Sequence, residues 1–213
     1  MDKPRSPELV MLNAPASPRA EAFRVLRARL DRAMPKGSSG TVLVTSPTEA
    51  ENRHAVAANL ALALAETGTT VVLADLDLHA PRLHDLLDLH DGPGVLQCLE
   101  SGTPAETCLQ PGPLPSLSVI GAGGGAEVPA RLLGSPAMSR LLAELGSGRA
   151  VVLAGPPALP AADASLLSGM VDGVILVTTA YRTRRSAVRD ALARLEGTGA
   201  NLIGAVLDGF SGP

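Results

Sequence analysis

Tryptophan is absent from the chain, and its aromatic side chains are Phe23, Phe210 and Tyr181 alone. Proteins that hold single-stranded nucleic acid stack its bases on exposed rings, and this sequence has no material for such a platform. A basic excess is missing too. The formal net charge is -3, which argues against a surface dominated by phosphate-backbone contacts, so no nucleic-acid partner is expected. Cys98 and Cys108 are the only cysteines. They are too few for a disulfide framework or a four-ligand zinc site, and a reducing compartment fits them. No run of about eighteen uncharged apolar residues occurs, and the opening MDKPRSPELV lacks the apolar stretch of a secretory leader. The expectation is a soluble, cytoplasmic protein that reaches the inner face of a membrane only through a partner.

Alanine, leucine and valine are plentiful. Hydrophobic residues make up 46% of the 213, enough for one substantial α/β core. Residues 41–82 organise the rest. TVLVTS reads as a strand, PTEAENRH as a tight connection, AVAANLALALAETG as a helix and TTVVLADLDLHAPR as a second strand ending in acids. Together they make one βαβ unit. Upstream, residues 1–16 are punctuated by Pro4, Pro7, Asn13 and Pro15 and are expected as an extended, flexible arm. Ser17-Pro18 reads as an N-cap and first turn, with Glu21 near the favourable end of a helix. That helix carries Ala22, Val25, Leu26 and Leu30 inward and stops at Met34-Pro35, and KGSSG at 36–40 links it to the first strand.

Downstream, short helices are expected over 81–89 and 95–99. A proline-rich surface connection follows over 101–116, with at most one helical turn near Cys108. Strands are expected over 117–120, 150–154, 173–178 and 202–207. Helices are expected over 136–145, 164–168 and 184–196, the last with Val188, Leu192 and Leu195 inward. The run Ala150–Ala154 is apolar throughout, as central strands of parallel sheets are. Strands and helices alternating across 41–207 predict an α/β fold: a single doubly wound, mainly parallel sheet with helices on both faces, inside one domain over 17–213.

Several stretches carry a family pattern. SPRAEAFRVLRARL at 17–30 is similar to S-P-x-x-E-A-Y/F-R-x-L-R-x-x-L, and AANLALALAETGTTVVLADLDLHAPRLH at 57–84 to A-x-N-L-A…G-x-x-V-L-L-I-D-x-D-L-R-x-P-x-x-H. PARLLGSPAMSRLL, PPALPAADA, VDGVILVTTAYRTRR and LIGAVL follow in the same order. Over some 190 residues the chain resembles the cytoplasmic bacterial tyrosine kinases (BY-kinases, CpsD/CapB type), which work with polysaccharide co-polymerases in capsule and exopolysaccharide export. The resemblance implies a P-loop NTPase-like fold. It also implies an E-x-x-R-x-x-R oligomerisation motif at Glu21, Arg24 and Arg27. Stepping three residues at a time, these side chains cannot all pair along one stripe, so they are expected to reach a neighbouring subunit rather than close their own salt bridges.

The chemistry does not carry over with the frame. The family's phosphate loop reads S-x-x-P-G-E-G-K-[ST], whereas Ser46-Pro47-Thr48-Glu49-Ala50-Glu51-Asn52-Arg53-His54 stands here. No glycine occurs between Thr45 and Thr67, although converging backbone N–H groups need positive φ and no Cβ in the way. Asn52 is able to adopt the left-handed conformation, Ala50 only at a cost. Arg53 replaces the lysine with a bulkier planar fork. His54 replaces the hydroxyl that would ligate Mg²⁺, and imidazole is a poor ligand for a small hard ion. Ala154-Gly155-Pro156-Pro157 stands where D-x-P-P is expected. Asp75 and Asp77 remain, occupying the family's positions for a metal-associated acid and a candidate base, and His79 replaces the arginine after them. Without a metal, either one of the two acids is protonated or Arg53 neutralises the pair. Asp163 matches a position near the γ-phosphate, or caps the 164–168 helix. Asp208 stands where the nucleotide pocket would have asparagine. The resemblance also implies a tyrosine-rich tail, but the chain's one tyrosine is Tyr181, beside a strand. His84 and His90 read as helix-surface or capping residues. Arg182, Arg184 and Arg185 are either a solvated helix start or a patch for a partner's acids.

The resulting expectation is a pseudoenzyme with no cofactor and no metal. It would act by binding a membrane polysaccharide co-polymerase or an active homologous kinase, in a homo- or hetero-oligomer. The alternatives are a divergent tyrosine kinase or ATPase using ATP and Mg²⁺, or a positioning ATPase of the ParA/MinD class.

Overall fold

Strands that are apolar on both faces are stable only inside a sheet covered on both sides. The computed structural model, which describes residues 6–33 and 40–209, contains such a sheet. Its strands are β1 (Thr41–Thr45), β2 (Val71–Asp75), β3 (Gln110–Pro111), β4 (Leu117–Ile120), β5 (Ala150–Ala154), β6 (Gly173–Thr179) and β7 (Leu202–Asp208). They are ordered β3-β4-β2-β5-β1-β6-β7. Every pairing is parallel except that of β3 with β4 at one edge. The side chains alternate between two cores. Val42, Val44, Leu73 and Ile175 enter one, while Leu43, Val72, Leu153 and Val174 enter the other. The doubly wound sheet is therefore as expected, with β5 at its centre.

The first core is closed by α1 (Val10–Asn13), α2 (Pro18–Ala33), α3 (Arg53–Ala65) and α4 (Leu83–Leu87). All residues of α3 are buried, and beyond its first two residues the helix is apolar all round except for Asn59. The second core lies under α5 (Val95–Ser101), α6 (Ala105–Cys108), α7 (Pro129–Leu133), α8 (Pro136–Leu145), α9 (Asp163–Ser168) and α10 (Arg185–Glu196). Of the α10 residues expected inward, Leu195 is fully buried, and Val188 and Leu192 pack against the core from its rim. Cys98 and Cys108 are free and buried here, their sulfurs 3.6 Å apart. Burial pushes the Cys98 thiol up to about 12, and both side chains pack within the second core.

The structure departs from the sequence reading in four places. Residues 8–13 are not an extended arm. Leu9 is buried and α1 docks on α3, because Asn59 accepts the Met11 N–H at 3.0 Å and donates to the Glu8 carbonyl at 2.8 Å. The inward face of α2 is Ala20, Phe23, Leu26 and Leu30, whereas Ala22 and Val25 are exposed. Arg24 and Arg27 turn toward α3 instead, and that rotates the other two outward. β3 and α7 were not expected. The expected helix stop at Met34-Pro35 and most of the 36–40 link lie outside the described residues, as do residues 1–5 of the arm.

Candidate functional site

The loop from β1 to α3 sits at the carboxyl ends of the strands, where open α/β sheets place their ligands. Its glycine-free sequence adopts no left-handed residue. Among the described residues only Asp88 and Tyr181 are non-glycines with positive φ, so Asn52 does not take the conformation open to it. The loop folds around its own side chains. Ser46 Oγ donates to the Thr48 carbonyl at 2.6 Å. Glu51, 4% exposed, accepts the Thr48 N–H at 3.0 Å and the Thr48 hydroxyl at 2.8 Å through one oxygen. Its other oxygen accepts the Thr183 hydroxyl at 2.8 Å. A buried carboxylate thus takes one backbone donor of the loop and ties the loop to the segment after β6.

Arg53 opens α3 and is 3% exposed. Its Nε donates to the Gly155 carbonyl at 2.9 Å, and its Nη2 to Asp77 Oδ2. A Cβ at Gly155 would meet Leu43 Cδ1 at 2.4 Å, so any larger residue there would have to push the buried Leu43 side chain aside. Of the two ways to neutralise the acids, the chain uses the internal one for Asp77. Asp75 has a different task. Its Oδ2 accepts the N–H groups of Arg82 and Leu83 at 3.0 and 2.9 Å, fixing the entry to α4, and its Oδ1 accepts the Asp77 N–H at 3.2 Å. His54 Nε2 lies 3.7 Å from Asp75 and 3.6 Å from Asp77 without a hydrogen bond.

His79 Nε2 lies 2.7 Å from Asp163 Oδ2. Asp163 therefore reaches across to the segment that follows β2, and the capping alternative fails: one carboxylate oxygen faces His79 and the other has no hydrogen-bond partner. Asp208 is elsewhere. It ends β7, two strands beyond β1, and Arg19 of α2 holds its carboxylate at 3.0 Å. Ser46, Asn52, Arg53, His54, Asp75, Asp77 and Asp163 are thus gathered at one end of the sheet, and Asp208 lies apart from them.

The donor set does not fit a Mg²⁺-nucleotide. A phosphate needs converging N–H donors and a free cation. Here the Thr48 N–H and the Arg53 guanidinium already have partners. The unpartnered buried side-chain atoms in this region are Asn52 Oδ1, His54 Nε2 and Asp163 Oδ1, two of them acceptors that repel phosphate oxygens. Ala154 offers no ligand. Among the described residues no group of three or more His, Cys, Asp or Glu is arranged to hold a metal ion.

The helix carrying Glu21, Arg24 and Arg27 corrects another expectation. Arg24 closes its own bridges, to Glu66 at 2.9 and 2.7 Å and to Glu21 at 3.3 Å, and Arg27 donates to the Ala63 carbonyl at 3.1 Å. The bonds to Glu66 hold that carboxyl below its ordinary range. Arginine is long enough to leave its own helix stripe for the next helix, which the spacing argument ignored. Sequence reasoning also missed Thr183, Asn59 and Gly155 as parts of the site and its frame. Only Asn59 had a signal, as the one polar residue inside an apolar helix.

No family model matches the sequence. Tyrosine-protein kinase YwqD of Bacillus subtilis is 29% identical over 202 residues, spanning 94% of this chain and 85% of that protein. The putative tyrosine-protein kinase EpsB of Ralstonia solanacearum is 30% identical over 205 residues, 96% of this chain. The succinoglycan biosynthesis transport protein ExoP of Rhizobium meliloti is 27% identical over 205 residues. The chain spans 27% of EpsB and 26% of ExoP. Among solved structures, the VpsO kinase domain is 30% identical, with a TM-score of 0.79 over 89% of this chain and 92% of that one. The cell division protein MinD of Aquifex aeolicus, at 20% identity and a TM-score of 0.61 over 79% of this chain and 68% of that one, shares the fold.

Proposed function

Because the chain belongs to the bacterial tyrosine-kinase family, we propose that it serves that family's machinery as a binding and assembly subunit, without phosphoryl transfer of its own. One observation carries this reading: the cation and the acids that would handle a nucleotide's phosphates and its metal are already bonded to other groups inside the chain. Arg53 is spent on Asp77 and Gly155, Asp75 holds the start of α4, and Glu51 takes the Thr48 N–H of the loop. Phosphoryl transfer depends on positioning and on charge neutralisation by metal and loop. The bonds of Arg53 would have to break before this cation could meet a phosphate.

The setting is polysaccharide export, for which the name of ExoP is the pointer, with a membrane co-polymerase or an active homologous kinase as partner. Assembly runs through α2. With Arg24 and Arg27 turned inward, what this helix offers a neighbour is Glu21, Ala22, Val25 and Arg29, beside the exposed Leu207 of β7. A groove of about 540 Å³ lies between the two elements.

Millimolar Mg²⁺-ATP is expected to leave the melting temperature unchanged. A ligand at about a hundred times its dissociation constant would stabilise by about 2.7 kcal/mol, which is readily seen. The double variant Arg53→Lys/Ala154→Asp is expected to stay equally silent, since it leaves Glu51 on the Thr48 N–H and restores no glycine. A Mg²⁺-dependent rise in the wild type would overturn the reading in favour of a divergent kinase.

A further inference from the structure

Tyr181 is 93% exposed, far more than Val128, Leu207 or Val25, the other exposed large hydrophobic residues. Its φ is 62°, in the left-handed region that bulky residues seldom enter. Such a conformation persists only where the surroundings over-determine it, and here they do. The Thr179 N–H donates to Thr183 Oγ1 at 2.7 Å, the Thr183 N–H to the Thr179 carbonyl at 3.0 Å, and the Ala180 N–H to the Asp208 carbonyl at 2.8 Å. Thr183 Oγ1 in turn donates to Glu51. A turn pinned to β7 on one side and to the phosphate-loop remnant on the other therefore holds the ring out in solvent.

Three arginines surround this phenol in sequence. Arg182, Arg184 and Arg185 are all exposed, and none has an acidic partner among the described residues. Exposed arginines that follow a tyrosine directly in the same turn and helix start suit it to approach a strongly anionic site, and are ready counter-charges for a phosphate ester once one forms. Among the described residues no hydrogen bond uses the Tyr181 hydroxyl, and packing accounts for neither its exposure nor its backbone.

We infer that Tyr181 is the position at which this chain accepts a phosphoryl group from an active tyrosine kinase. The inference rests on the reading above, in which the chain is a partner of such a kinase and not itself a donor. The Tyr181 Oη attacks the γ-phosphorus of ATP held by the donating kinase. An O–P bond to tyrosine forms, the bond to the β,γ-bridging oxygen breaks, and ADP leaves with that electron pair. The phenolic proton passes to a base of the donating kinase.

The test incubates the full chain with Mg²⁺-ATP and purified YwqD, whose own tyrosine phosphorylation is verified in the same tube, and reads intact mass and fragment spectra. A gain of about 80 Da, one phosphoryl group, is expected on Tyr181. It is expected to vanish in Tyr181→Phe, whose far-ultraviolet circular dichroism should match the wild type. It should slow severalfold in Arg182→Ala/Arg184→Ala/Arg185→Ala, with the wild-type rate falling as salt rises. No gain while YwqD modifies itself overturns the inference, and so does a gain that survives Tyr181→Phe. Phosphate on Tyr181 in a tube without YwqD would support the acceptor site and overturn the inactive-subunit reading instead.

Discussion

Arg53 shows how one substitution is absorbed by its surroundings. The β1–α3 loop has no glycine to shape a cradle, so the cation crosses to the ends of β2 and β5, where Asp77 and the Gly155 carbonyl receive it. Both charges of this pair are almost fully buried. Removing one partner of such a pair leaves the other uncompensated, at a cost of about 3–5 kcal/mol. Arg53→Ala is therefore expected to lower the unfolding free energy by about that amount in urea titration. If the loss stays below about 1 kcal/mol, the pair is no more than a surface-type contact. The missing glycines and the lost lysine, hydroxyl and acid were legible residue by residue. The replacement contacts were not. Glu51 and Thr183 lie 132 positions apart, and no local pattern links them.

At the scale of elements, the contact of α2 with α3 turns on Arg24 and Glu66. The hydrogen bonds from Arg24 lower the Glu66 pKa from its ordinary 4.5. Its stabilising contribution is therefore fully present above that pH and is lost as pH falls through the lowered value. Glu66 is part-exposed, so solvent screening keeps the effect small. The melting temperature of the wild type is expected to fall more than that of Glu66→Gln between about pH 6 and about pH 3. Parallel curves would show that the pair adds nothing to the docking. Elements with a strong period were readable: α8 and β5 lie where the sequence put them, because Met138, Leu141, Leu142 and Leu145 repeat on one face and β5 is apolar throughout. α1 and β3 were not. α1 owes its place to Asn59 on another helix, and β3 is a two-residue edge pairing that includes Pro111. Neither has a period to read.

For the molecule as a whole, assembly is the property to measure. In sedimentation the wild type is expected to self-associate, or to join an active homologue, and to loosen as salt screens the charges around the interface. The variant Glu21→Ala/Val25→Glu, with both positions exposed, is expected to stay monomeric with its melting temperature unchanged. Equal association of both proteins would remove α2 from the interface. The strand order has a consequence of another kind. β1 lies between β5 and β6, whose residues leave the ribosome more than a hundred positions later. Neither neighbour of the first strand exists while the first half of the chain is being made, and α3 has no completed sheet to cover. The nascent chain must therefore carry an unpaired apolar strand and an apolar helix until β5 and β6 have been made. Its period of greatest exposure to aggregation is set by translation speed and not by the stability of the finished fold.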